Sequence, residues 1–162
     1  MLDGIFQLRK GLAFASLALA TAGAVSAHAQ EIRNVAEYNL EAGVGLKGFD
    51  PVSYFAEGDK HAVGSDSLNY RGVTYNFLSS LNKDKFELNP EKYEPTYGGW
   101  CAFAMASGSQ VDIDPAIYTI NGNRIHFFVS TRAKELFDED IAGYEARADR
   151  FWKQISGENP RN

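Results

Sequence analysis

The 162-residue chain has one cysteine, Cys101, and one methionine besides Met1. A lone thiol excludes an intramolecular disulfide, and no Cys/His set has zinc-site spacing. Basic charge is also short: 16 Lys and Arg stand against 21 Asp and Glu, a formal net charge of −5. That balance argues against nucleic acid or an anionic membrane surface as a partner. After residue 29, no run approaches the roughly 20 apolar residues that a spanning helix needs, so stable membrane insertion is not expected. Phosphate-loop and serine-elbow motifs are absent as well.

What is present begins with residues 1 to 29, which have the layout of a secretory signal. Arg9 and Lys10 precede an uncharged apolar stretch, Gly11 to Val25, and Ala27-His28-Ala29 precedes Gln30. A basic region, a short apolar region and an A-x-A site are what signal cleavage requires. No cysteine lies near that site to carry a lipid, and Arg9-Lys10 is not a twin arginine, so general secretion is expected. The protein is therefore expected in the periplasm or outside the cell, with maturation at Gln30. In an oxidising compartment an unpaired Cys101 must be buried, liganded or bonded to another chain.

Residues 30 to 47 are polar and glycine-punctuated and read as a mobile N-terminal arm. A folded domain is expected over 48 to 156, with a tail over 157 to 162. Asp50 before Pro51 is a helix-start signal, ended by Gly58-Asp59-Lys60. Alternation over Ser67 to Phe77 predicts a hairpin turning at Arg71-Gly72. Ser79 or Ser80 then caps a helix stopped by Asn89-Pro90. A second hairpin is predicted around Asn121-Gly122-Asn123, followed by a Ser130- or Thr131-capped helix reaching Phe137. Ile141, Tyr144, Ala148, Phe151, Trp152 and Ile155 recur at helical spacing, which predicts a C-terminal helix to about Gly157.

Tyr75 to Phe86 lies over His126 to Phe137 without a gap, and Asp50-Pro51 echoes Asp114-Pro115. The fold expected is α+β: one small domain of two β-hairpin–helix (ββα) units around Gly98-Gly99-Trp100-Cys101, plus the C-terminal helix. Cys101 and Met105 are four apart and share a face if the segment is helical. With His126 they form the candidate metal set, and thiolate, thioether and imidazole together suit copper as Cu(I). Core packing is the competing role for both sulfur side chains.

Asp50-Pro51-Val52, Tyr75 to Phe77, Lys85-Phe86 and Asn89-Pro90-Glu91-Lys92-Tyr93 resemble the YHS domain. Gly48 to Trp152 is similar to the secreted bacterial YHS-domain proteins, which carry a segment like Tyr97 to Ala102. The resemblance implies a small α+β domain and, for the wider family, heavy-metal handling. Cysteine positions of the metal-linked members fall near Ser53, Leu78 and Asn82, so a thiolate site of their type is excluded. The function expected is a non-catalytic, secreted binding module for a soft metal or a small ligand. A thiol-dependent enzyme using Cys101 and a structural or partner-docking protein are the alternatives.

Overall fold

Arg71 and Gly72 set the first hairpin, with φ of 51° and 91°. Two successive positive φ values give the two-residue turn that matches the right-handed twist of its strands. Asn69 Oδ1 accepts the Gly72 N–H at 3.2 Å and holds the turn closed. It joins β3 (Asp66–Tyr70) to β4 (Val73–Phe77), antiparallel from Asp66↔Phe77 to Tyr70↔Val73. In the computed structural model, which describes residues 33–56, 61–159 and 161, strand alternation buries Val73, Tyr75 and Phe77. The expected signal segment and Gly58-Asp59-Lys60 lie outside the described residues.

Ser79 caps α1 (Ser80–Leu88), its hydroxyl accepting the Asn82 N–H at 3.2 Å. Phe86 turns inward against Tyr75 and Phe77, with ring centroids 4.9 and 5.3 Å away. Pro90 then opens the single turn α2 (Pro90–Tyr93). A 3-10 turn over Thr96–Gly99 leads into another single turn, α3 (Ala102–Met105), with Cys101 at its N-cap.

The second hairpin pairs β5 (Asp114–Asn121) with β6 (Arg124–Phe128) and turns at Gly122, with an irregularity between Asp114 and Tyr118. Strand β6 buries both faces: Ile125, His126, Phe127 and Phe128 are all below 2% exposed. Phe128 and His126 look onto Phe137, while Phe127 looks onto Tyr54 and Tyr118. Ser130 caps α4 (Thr131–Glu139), and Asp140 caps α5 (Ile141–Ser156) by accepting the Gly143 N–H at 3.0 Å. A Cβ on residue 143 would stand 2.0 Å from Asp140 Oδ2, so a larger residue there would make the Asp140 carboxylate rotate.

Residues 33 to 47 are the described part of the expected N-terminal arm. The segment from Arg33 to Lys47 is packed, with Tyr38 and Leu46 buried. It supplies β1 (Leu40–Glu41) and β2 (Val44–Gly45), and Val44 pairs in parallel with Thr74. The resulting sheet has the order β1-β2-β4-β3, and β5-β6 forms a separate two-stranded ribbon. Tyr38 meets Trp152 edge-on at 5.4 Å, tying this segment to α5. Two-residue strands leave no periodicity in a sequence, and glycine punctuation here marks tight turns. The described fold is a small mixed α+β domain with a four-stranded sheet, a two-stranded sheet and five helices. Among the described residues, no helix is long and apolar enough to cross a membrane.

Candidate functional site

Paired glycines make the central segment possible. Tyr97, Gly98 and Gly99 take φ of 55°, 60° and 87°, all in the left-handed region. A Cβ on Gly98 would stand 2.7 Å from the Trp152 ring and 3.1 Å from Tyr38. The chain thus turns sharply beneath two aromatic rings and delivers Cys101 to the edge of the ribbon. There the Cys101 N–H donates to Val111 O at 2.9 Å, and Cys101 pairs in parallel with Phe127.

The three residues of the candidate metal set then part company. The Met105 N–H donates to Cys101 O at 2.9 Å, so these two residues do stack on one helical turn, and both are wholly buried. Bridge partners point to the same side of a ribbon, so Cys101 shares the side of Phe127. His126, the next residue along β6, points to the other side. Its ring nitrogens are both engaged: Nδ1 lies 2.8 Å from Thr96 Oγ1, and Nε2 lies 2.7 Å from Glu145 Oε1. A metal needs a bare imidazole lone pair, and this imidazole spends its nitrogens on protein partners. Among the described residues, no three His, Cys, Asp or Glu side chains are grouped to hold a metal ion. The same division takes from Cys101 the base that a thiol nucleophile would use. His61, the other remaining histidine, stacks on Tyr54 at 4.2 Å, with Nε2 2.9 Å from the Tyr118 hydroxyl.

His126 instead anchors a polar network between β6 and α5. Glu145 Oε1 also accepts from Asn121 Nδ2, and Arg124 Nη1 lies 3.6 Å from Oε2. Arg124 donates Nη2 to Asp149 Oδ1 at 2.6 Å and to the Tyr97 hydroxyl at 3.0 Å. Burial pushes the His126 pKa down against the pull of Glu145, and Arg124 adds to the downward push. Burial alone would raise the Glu145 carboxyl, but hydrogen bonds from His126 and Asn121 and the charge of Arg124 hold it low. The Tyr97 phenol is pushed up by burial.

A second network is sealed more tightly. Arg33 grips Glu94 with both terminal nitrogens at 2.6 and 3.0 Å, and Tyr75 donates to Glu94 Oε1 at 2.7 Å. The side chains of Arg33 and Glu94 are each 1% exposed. Arg161 adds a contact to Glu94 Oε2 at 3.2 Å, and Glu158 accepts from the Tyr38 hydroxyl. Glu158 and Arg161, read from the sequence as tail, are therefore tied to the body of the fold. Burial disfavours the Glu94 charge, but Arg161, Arg33 and the Tyr75 hydroxyl more than compensate and keep it ionised.

Between the two networks lies a small cleft lined by Thr96, Tyr97, Arg124, Trp152 and Arg161. The carboxylates that balance its arginines, Glu94, Glu145 and Asp149, stand outside that lining. Arg124 Nε is buried without a hydrogen-bond partner. Sequence reading singled out His126 but not Thr96, Arg124, Glu145, Asp149 or Arg161. One signal was within reach: carrying the ungapped echo further sets Glu94 over Glu145. Each of these carboxylates takes the polar end of the echoed residue, Tyr75 or His126. Comparison of the chain with protein-family models, with curated proteins and with solved structures gives no match.

Proposed function

We propose that the protein is an exported, non-catalytic binding module of YHS type, whose site is the Thr96–Tyr97–Arg124–Trp152–Arg161 cleft. Its ligand is a small oxyanion, a carboxylate, sulfate or phosphate group. The observation that carries this reading is the lining: Arg124, Arg161 and Thr96 border the cleft beside Tyr97 and Trp152, and Arg124 Nε is buried without a hydrogen-bond partner. Guanidinium groups present planar, fixed donors that match the oxygens of such anions. The burial of Cys101 and the turning away of His126 favour binding over thiol chemistry.

Internal duplication accounts for the two networks. Ser79 and Ser130 cap α1 and α4 with φ/ψ of −157°/157° and −157°/159°. Asn89 and Asp140 end those helices at −152°/71° and −149°/64°. Tyr75–Glu94 and His126–Glu145 fall at the same spacing. In this reading the first ββα unit kept a sealed structural pair, while the second opened beside a cleft. The YHS assignment itself rests on the motifs from Asp50 to Ala102.

Thermal unfolding with added sulfate, phosphate or acetate tests the function. A ligand bound only by the folded state raises the midpoint with concentration. The rise is expected in the wild type and is expected to shrink in Arg161→Gln. Equal shifts in the two proteins would reduce the effect to general salt stabilisation and overturn the reading.

A further inference from the structure

Thr96 has one hydroxyl proton and two acceptors within reach. Its Oγ1 lies 2.6 Å from the Ile125 carbonyl oxygen and 2.8 Å from His126 Nδ1. A threonine hydroxyl donates one hydrogen bond and accepts others, so it cannot serve both acceptors as a donor. With His126 neutral, Nε2–H donates to Glu145 and bare Nδ1 accepts the Thr96 proton. With His126 protonated, Nδ1–H donates to Thr96 Oγ1, and the hydroxyl turns its proton to Ile125 O. The second arrangement fits the heavy-atom positions as they stand, whereas the first leaves Oγ1 and the Ile125 oxygen 2.6 Å apart with no proton between them, so the two oxygens must draw apart as the hydroxyl turns.

We propose that Thr96, His126 and Glu145 form a proton-responsive relay behind the cleft, coupling oxyanion binding at Arg124 and Arg161 to protonation of His126. This rests on the oxyanion reading of the cleft. Protonation places a positive charge directly behind a cleft wall that already carries two guanidinium groups. It also gives Glu145 a full cationic partner at 2.7 Å, against 3.6 Å for Arg124. Arg124 then has less of its charge answered by Glu145 and more to offer an anion. Linkage makes the coupling reciprocal: an anion in the cleft favours the imidazolium as much as the imidazolium favours the anion.

The groups around His126 define its field. Glu145 and Asp149 face it from α5, and Arg124 lies on its own strand. The Tyr97 ring stands 5.7 Å away and the Phe137 ring of α4 stands 5.0 Å away. Across the ribbon, its partner Thr119 donates its hydroxyl to Asp138, which also pairs with Lys134. On α2, Glu91 is the acid, and Lys92 lies over the Phe55 and Tyr93 rings. The turn α3 carries no ionisable side chain.

Histidine ring 15N chemical shifts, followed from about pH 5 to 8 with and without sulfate, test the coupling. Sulfate keeps its charge across that range, so any pH dependence belongs to the protein. Without sulfate, His126 is expected as the Nε2–H tautomer at the upper end, gaining its second proton on Nδ1 as pH falls. Saturating sulfate is expected to raise its midpoint, and each unit of rise corresponds to about tenfold tighter sulfate binding by the protonated form. The pH dependence is expected to vanish in His126→Gln. If that variant does not fold, the wild-type titration decides alone. Sulfate binding that leaves the His126 midpoint unmoved would overturn the coupling and leave the cleft reading standing. No sulfate binding at any pH would overturn both.

Discussion

Gly98 carries two separate requirements, a positive φ of 60° and room beneath Trp152 and Tyr38. Gly98→Ala meets neither. Left-handed strain and overpacking together predict a loss of about 2 to 4 kcal/mol in urea unfolding. A variant as stable as the wild type would mean the turn is not as described. Cys101 behaves as a small core side chain paired with Phe127. Replacing its thiol with the stronger polarity of serine, Cys101→Ser, is expected to destabilise the fold by about 1 to 3 kcal/mol. The same measurement separates a core role from a dispensable one. At this scale the sequence was only half legible. The apolar character of Trp100 to Ala106 led to the expectation that the segment is buried, and Cys101, Ala102 and Met105 are, while Trp100, Phe103, Ala104 and Ala106 are half-buried; helical spacing pointed to a shared face for Cys101 and Met105. The direction of His126 did not follow, because it depends on which β6 residue pairs with Cys101.

Elements whose ends are set by local chemistry were the legible ones. Ser79, Ser130 and Gly157 mark helix boundaries because a hydroxyl cap or a left-handed glycine acts within a few residues. Asp140 does double duty, closing α4 and capping α5 through the Gly143 N–H. Asp140→Ala is expected to cost about 1 kcal/mol, the usual cost of a lost cap, read as a lower midpoint in thermal unfolding. An unchanged midpoint would show that the cap contributes nothing. The ribbon β1–β2 was not legible, because its strands are two residues each and its pairing with β4 is long-range. Candidate cleft residues were hidden for a related reason. Arg124 and Glu145 read locally as ordinary surface charge on a strand and a helix, and Thr96 as loop. Only the packing of the Thr96–Gly99 turn, β6 and α5 brings them together.

For the whole molecule, titration of the buried network sets how stability follows pH. His126 in the unfolded chain titrates near 6.5, and in the fold it takes its proton at lower pH. Below 6.5 the unfolded chain binds that proton first, so acidification destabilises the fold down to the lowered midpoint and no further. Glu94 and Glu145 are held below 4.5, so their contribution is present above that value and is lost as pH falls past it. Urea midpoints should therefore fall in two stages on acidification, the first absent in His126→Gln. A single carboxylate stage in the wild type would contradict the burial of a neutral imidazole. Export adds a chemical check: N-terminal sequencing of secreted protein should begin at Gln30, and a retained Met1 would contradict the signal reading. The central claim is that the Thr96–Arg124–Arg161 cleft binds a small oxyanion. Its most direct test is a sulfate titration of 15N-labelled protein at mildly acidic pH. Saturable shifts are predicted at the Trp152 indole, the Thr96 and Tyr97 amides, and the Arg124 and Arg161 side chains. Shifts scattered over the surface, or none in the cleft at saturating sulfate, would contradict it.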